Sequence, residues 1–152
     1  MKTITSIARL IGALILMTTQ TALAADEPSP APVRLDPDKI AGLNLTAIPP
    51  DAYSDILVAG ELNMNVATLF EGKELRVSIF ESTPAKTDHR TRPTDVDEFV
   101  YVLSGKLILT EPNGTRHEFV PGQSLVLPIG YTGTWEMQGN YRELVVLMQK
   151  GE

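Results

Sequence analysis

Residues 98–105 read Glu-Phe-Val-Tyr-Val-Leu-Ser-Gly, and residues 122–130 read Gly-Gln-Ser-Leu-Val-Leu-Pro-Ile-Gly. Each is a short apolar run bounded by glycine or proline, the pattern of a strand between turns rather than of a helix. Gly105 is expected to end one strand so that Lys106 begins the next in a tight reversal, where a Cβ is unwelcome. Pro121-Gly122 does the same before the strand 124–127, and Pro128 ends that strand because it has no N–H for the ladder. Glu98 stands out. It shares strand parity with Val100 and Val102, so its carboxyl points to the same face as two valines. If that face is the interior, the carboxylate needs a metal, a cation or hydrogen-bond donors.

Outward from these segments the same grammar continues. Strands are expected at 66–70, 75–80, 98–103, 107–110, 118–120, 125–127, 134–137 and 143–148. Turn signals lie between them, at 71–73, 104–105, 112–114, 121–122, 128–130 and 139–140. Asn113-Gly114 fits a two-residue hairpin turn with positive φ at both positions. So dense a run of short strands argues for an all-β sandwich or barrel. Residues 39–60 are ambiguous: Ile40, Leu43, Leu45 and Ile48 suit an arm packed over that barrel, while Pro49-Pro50 stops any helix. Residues 25–38, ADEPSPAPVRLDPD, are too polar and proline-rich to order themselves and read as a flexible leader.

The N-terminus reads as a targeting segment. Lys2 and Arg9 precede the apolar run 10–17, and Ala22-Leu23-Ala24 supplies small residues at a cleavage point. The apolar run is about half of what a membrane span requires. A signal peptide over 1–24 is therefore expected, cleaved near Ala24-Ala25, with a periplasmic or secreted product and no membrane partner thereafter. The chain has no cysteine, so an exported product must rely on its hydrophobic core rather than on disulfides. The formal charge of −6 deepens to −8 once Lys2 and Arg9 are removed, which argues against nucleic acid as a partner.

The two opening segments resemble the paired motifs of the cupin superfamily. Glu98 followed by Gly105 matches the second half of the first motif, and Gly122 with Pro128-Ile129-Gly130 the start of the second. Gly133-Thr134-Trp135-Glu136 is similar to the small cupins grouped with (S)-ureidoglycine aminohydrolase. The resemblance implies a double-stranded β-helix (a jelly-roll barrel) over 61–152, after the signal peptide at 1–24 and the leader and arm at 25–60. It also implies a homodimer and, in metal-binding members, three histidines beside the glutamate. Those histidine positions fall on Arg92 and Thr94 (or Thr91 and Pro93) and on Gly133, none of which is an imidazole.

A divalent metal would have to draw on Glu98 with His117 and His89, or on Asp95 and Asp97. His89 sits in the irregular stretch 83–97 and reaches the lumen only if that stretch folds inward. Without a metal, the lumen is a candidate binding cavity for a small polar or anionic organic molecule. Glu98, Tyr101, His117, Tyr131, Trp135 and Arg142 are its candidate lining, with Arg142 the candidate counter-ion to Glu98. No nucleophile motif or phosphate loop is present, so no catalytic residue is assigned. Three readings stand: a ligand-binding exported cupin, a metal-dependent cupin enzyme with an unusual ligand set, and a structural or partner-binding dimeric module.

Overall fold

The computed structural model describes residues 30–148, and from Val33 onward these form one compact unit. The expected signal peptide lies outside the described residues, as does the first part of the leader. After a one-turn helix α1 (Pro37–Ile40) come β1 (Thr46–Ala47), β2 (Leu57–Gly60), β3 (Met64–Glu71), β4 (Leu75–Ser82) and β5 (Ala85–Asp88). Then follow β6 (Glu98–Thr110), β7 (Arg116–Phe119), β8 (Ser124–Leu127) and β9 (Thr134–Met148). Among the described residues no helix is long and apolar enough to cross a membrane.

The long strands β6 and β9 pair with each other and serve both walls of a curled, wholly antiparallel sheet. The second half of β9 pairs with β4, and through β3 with β1, while the first half of β6 pairs with β8. The first half of β9 pairs with β5, and through it with β2, while the second half of β6 pairs with β7. Each long strand thus passes from one wall to the other, and the lumen lies between the walls.

What allows the passage is a pair of glycines. Gly105 has φ +70 and Gly139 φ +69, and the β6–β9 register slips on both sides of Ser104. A Cβ on Gly105 would stand 2.6 Å from the Gln138 carbonyl oxygen, inside van der Waals contact. The expected reversal at Ser104-Gly105 is therefore not a turn but a bulge in a continuous strand, and Gly139-Asn140 is likewise internal to β9. The bulge flips the inward parity of β6. Val100 and Val102 face the core before it, Leu107 and Leu109 after it.

The Asn113-Gly114 turn also differs from expectation. Gly114 N–H donates to the Glu111 carbonyl at 2.9 Å, so Pro112 and Asn113 are the central residues. Only Gly114 has positive φ, at +89. Pro112 is pre-set for the first central position of an ordinary turn, and glycine absorbs the left-handed residue that follows.

Val100, Val102, Leu107, Leu109, Leu127 and Val145 form a core with almost no exposed surface. Burying each such side chain contributes about 1.5–3 kcal/mol before entropy is counted. The stretch 39–60 joins the fold at both ends. β1 extends the wall beyond β3 and β2 the wall beyond β5, while Ile56 between them is buried. Gly42 lies against the Arg142 guanidinium on the outer surface.

Candidate functional site

The core does not fill the lumen. A cavity of about 320 Å³ remains between the walls, near the low end of the range typical of small-molecule sites. Met64 of β3 and Phe80 and Ser82 of β4 line it from one side; Trp135, Met137, Tyr141, Glu143 and Leu147 of β9 line it from another. Glu98 opens β6 at its edge. Parity places these residues together: Val100 pairs with Val145, so 143, 145 and 147 share the inward face with 98, 100 and 102.

The segment 89–97 closes one side of the cavity, and its backbone explains why it folds inward. His89 N–H donates to the Gly133 carbonyl at 2.7 Å, Thr94 N–H to the Tyr131 carbonyl at 3.1 Å, and Gly130 N–H to the Thr94 carbonyl at 2.8 Å. Asp97 Oδ1 accepts from Ile129 N–H at 2.7 Å, which makes it an anchor of this loop. So fastened, the loop sets His89 against the cavity. Its ring lies 5.1 Å from that of Trp135, and its Nε2 is 3.0 Å from Thr87 Oγ1. Burial pushes the His89 pKa down, so the ring is neutral at neutral pH.

Two carboxyls share the cavity. Burial pushes Glu98 up to about 7, and the Asp95 charge adds to the effect. Burial likewise pushes Glu143 up to about 7; the Tyr141 hydroxyl donates to its Oε2 and opposes the shift, while the Glu98 charge adds to it. Tyr141 itself is raised by burial first and by the Glu143 charge second. Neither carboxylate has a salt bridge among the described residues, and Glu98 accepts no hydrogen bond there. Two further polar groups on the wall, Ser82 Oγ and Trp135 Nε1, are buried without a hydrogen-bond partner.

The sequence candidates divide cleanly. Glu98, Trp135 and His89 line the cavity. Tyr101 does not: its parity is opposite to that of Glu98, and it faces outward, 38% exposed. His117 does not either, being exposed on β7 with its Nε2 2.7 Å from Glu111 Oε1. Tyr131 lines a separate, more open pocket of about 450 Å³ together with His117 and Leu109. Arg142 is not the counter-ion of Glu98; it points to the outer face and pairs with Glu81 at 2.6 Å. Glu143 and Tyr141 are site residues that the sequence candidates omit. Glu143 shares parity with Val145 and Leu147, but its strand is apolar on both parities, so the sequence alone does not single it out.

A resident metal does not fit these residues. Among the described residues no group of three or more His, Asp or Glu side chains is placed to hold one. The trio Glu98, His117 and His89 does not converge, because His117 belongs to the β7 surface. A side chain at Gly133 would meet the Thr110 carbonyl oxygen at 2.5 Å, so a histidine there has no room. Arg92 and Thr94, at the other histidine positions, are engaged in structure. Arg92 stacks over the Tyr53 ring at 5.0 Å and donates to the Ala52 carbonyl, and Thr94 Oγ1 donates to the Pro128 carbonyl.

Residues 70–143, spanning the bent strands and the cavity wall, match the model of the EutQ-like cupin domain. This chain has a cupin fold. The cupin is similar in structure to a protein of unknown function from Pseudomonas syringae, with a TM-score of 0.60 and 23% identity, covering 68% of this chain and 43% of that one. It thus spans less than half the length of that relative. It is similar also to the EutQ protein of Clostridium difficile, with a TM-score of 0.54 and 16% identity, over 76% of this chain and 80% of that one. A putative ethanolamine utilization protein from Salmonella typhimurium matches with a TM-score of 0.50 and 14% identity, over 69% and 94% of the two chains. At these identities the likeness is one of fold. No curated protein matches the cupin.

Proposed function

We propose that this cupin is exported and binds a small polar organic molecule in its lumen. The observation that carries the reading is the cavity itself: apolar walls from Met64, Phe80, Met137 and Leu147, with a few convergent polar groups left without partners. Pockets of that composition hold ligands by apolar burial and select them by the polar groups. The leading 24 residues support export. The likeness of residues 133–136 to the (S)-ureidoglycine aminohydrolase group supports kinship, and no reaction is assigned from it. Fluorescence of Trp135, the only tryptophan of the chain, is the direct assay. Saturable change with small polar compounds supports binding; a flat response across a broad panel opposes it. N-terminal sequencing of the protein from a periplasmic fraction tests export, with a start at Ala25 expected.

One observation favours a second reading, a dimeric module. Phe99 and Tyr101 of β6 and Val126 of β8 are exposed side by side on one outer wall, with Phe99 opposite Val126 in the ladder. Sedimentation of the wild type and of Phe99→Ser tests it: a dimer that the substitution dissociates supports this reading, and a monomeric wild type opposes it.

A further inference from the structure

The cations around the cavity are already engaged. Arg76 stands 3.7 Å from Glu71 across the β3–β4 hairpin, and Arg92 stands 3.6 Å from Asp55 while stacked on Tyr53. Arg142 is turned outward onto Glu81. His89, uncharged there, is held by Thr87 and Trp135 and supplies no cation. Glu98, half-buried at the edge of the cavity, and Glu143, buried in its wall, are therefore two acidic side chains with no cation assigned to either. Glu143 is only 7% exposed. A second, independent observation points to a missing occupant: Ser82, 5% exposed and on the same wall, presents a hydroxyl with no partner, as does the Trp135 indole N–H.

An uncompensated carboxylate against apolar walls is costly, and the cost falls when an ammonium group supplies both charge and donors. An inorganic divalent ion would need several convergent oxygen or nitrogen donors, which the wall does not offer. An anionic ligand would meet repulsion from both carboxylates. Apolar flanks from Met64, Phe80 and Leu147 call for a hydrocarbon portion, and the Trp135 N–H calls for an oxygen acceptor. The Trp135 ring lines the same cavity and adds an aromatic surface on which a cation can rest.

We infer that the lumen selects a small organic ammonium ion carrying a hydroxyl or carbonyl oxygen, with Glu98 and Glu143 as its counter-ions and Trp135 and Ser82 meeting its oxygen. This rests on the proposal that the lumen binds a ligand, and it names the chemical class.

The test uses three near-isosteric probes of different charge: phenylglycinol, phenylethanediol and mandelate. A smaller trio of the same charges, alaninol, propylene glycol and lactate, guards against a steric miss. Calorimetry and Trp135 fluorescence on the purified protein should rank cation over neutral over anion, with the cation about tenfold or more tighter than the diol, the worth of one charge-assisted hydrogen bond. Glu98→Gln and Glu143→Gln preserve shape and should each erase most of that preference while the melting transition remains cooperative. Diol or anion binding as tightly as the cation overturns the ammonium assignment and leaves the ligand-binding lumen standing. No binding by either trio overturns both. Cation binding that survives the double Gln variant unchanged overturns the role of the two carboxylates.

Discussion

Two pairs of glutamates, one inside the lumen and one on the β6–β7 hairpin, show how differently this small fold treats the same side chain. Glu111 and Glu118 are solvent-exposed in their charges and richly partnered. Glu111 meets His117 at 2.7 Å and Glu118 meets Lys106 at 3.2 Å and Arg116 at 3.0 Å, so hydrogen bonding lowers both pKa values. Glu98 and Glu143 have the opposite surroundings. Glu143 is buried and Glu98 half-buried, neither has a cation, and both are pushed up to about 7. Surface pairs of the first kind contribute little and are easily replaced. Carboxyls of the second kind work against folding whenever they are charged. A structure that keeps such a pair on a cavity wall, and spends its arginines elsewhere, points to a partner that arrives from solution.

The contrast can be broken most severely by adding a carboxylate where there is no cavity. Val100 is fully buried on the same face as Glu98, so Val100→Glu should cost more than about 4 kcal/mol and leave little folded protein. Urea denaturation checks it, and a variant of near wild-type stability would mean that the interior accommodates charge generally.

The next effect is in pH. A carboxyl raised from 4.5 in the unfolded chain to about 7 in the folded one takes up protons on folding between those values. Stability is therefore fully present below about pH 4.5, declines as pH rises toward about 7, and is flat above it. At about 1.4 kcal/mol per pH decade each group accounts for about 3 kcal/mol, less in sum because the two interact. The hairpin pair and His89 have the other sign: their lowered pKa values add stability above the unfolded values that is lost as pH falls. His89 thereby offsets part of the carboxyl decline below about pH 6.5. Thermal melts across that range should show the net decline, and Glu98→Gln with Glu143→Gln should flatten it. The single Glu143→Gln should itself stabilise by about 1–2 kcal/mol near pH 8, since its amide oxygen still accepts from Tyr141. His117→Ala marks the small end. It removes an exposed pair only, and should shift stability by less than about 1 kcal/mol with no change in ligand response.

The strands were legible because alternation and turn residues mark them, and Glu98 was legible because an acid among valines of one parity is conspicuous. The same parity, applied to Tyr101, places it on the face opposite Glu98, and its candidacy for the lumen overlooked that. Glu143 was harder to see. It opens Glu-Leu-Val-Val-Leu-Met, apolar on both parities although only one face of β9 is fully buried, so the sequence does not say which is inward. Ser-Gly at 104–105 marks a change of backbone direction but is the same in a bulge as in a reversal, and only the pairing with β9 distinguishes them. Arg142 shows the limit of counting charges. Its partner Glu81 lies far away in sequence and beside it in the ladder.

If Glu98 and Glu143 lie in the lumen without a counter-ion, their own titration reveals it. Carbon-detected NMR of the glutamate carboxyls, with Glu98→Gln and Glu143→Gln for assignment, should find two resonances with midpoints near 7 in the ligand-free protein. If both instead titrate at the ordinary 4.5, the carboxylates are solvated or paired, and the account of the cavity is wrong.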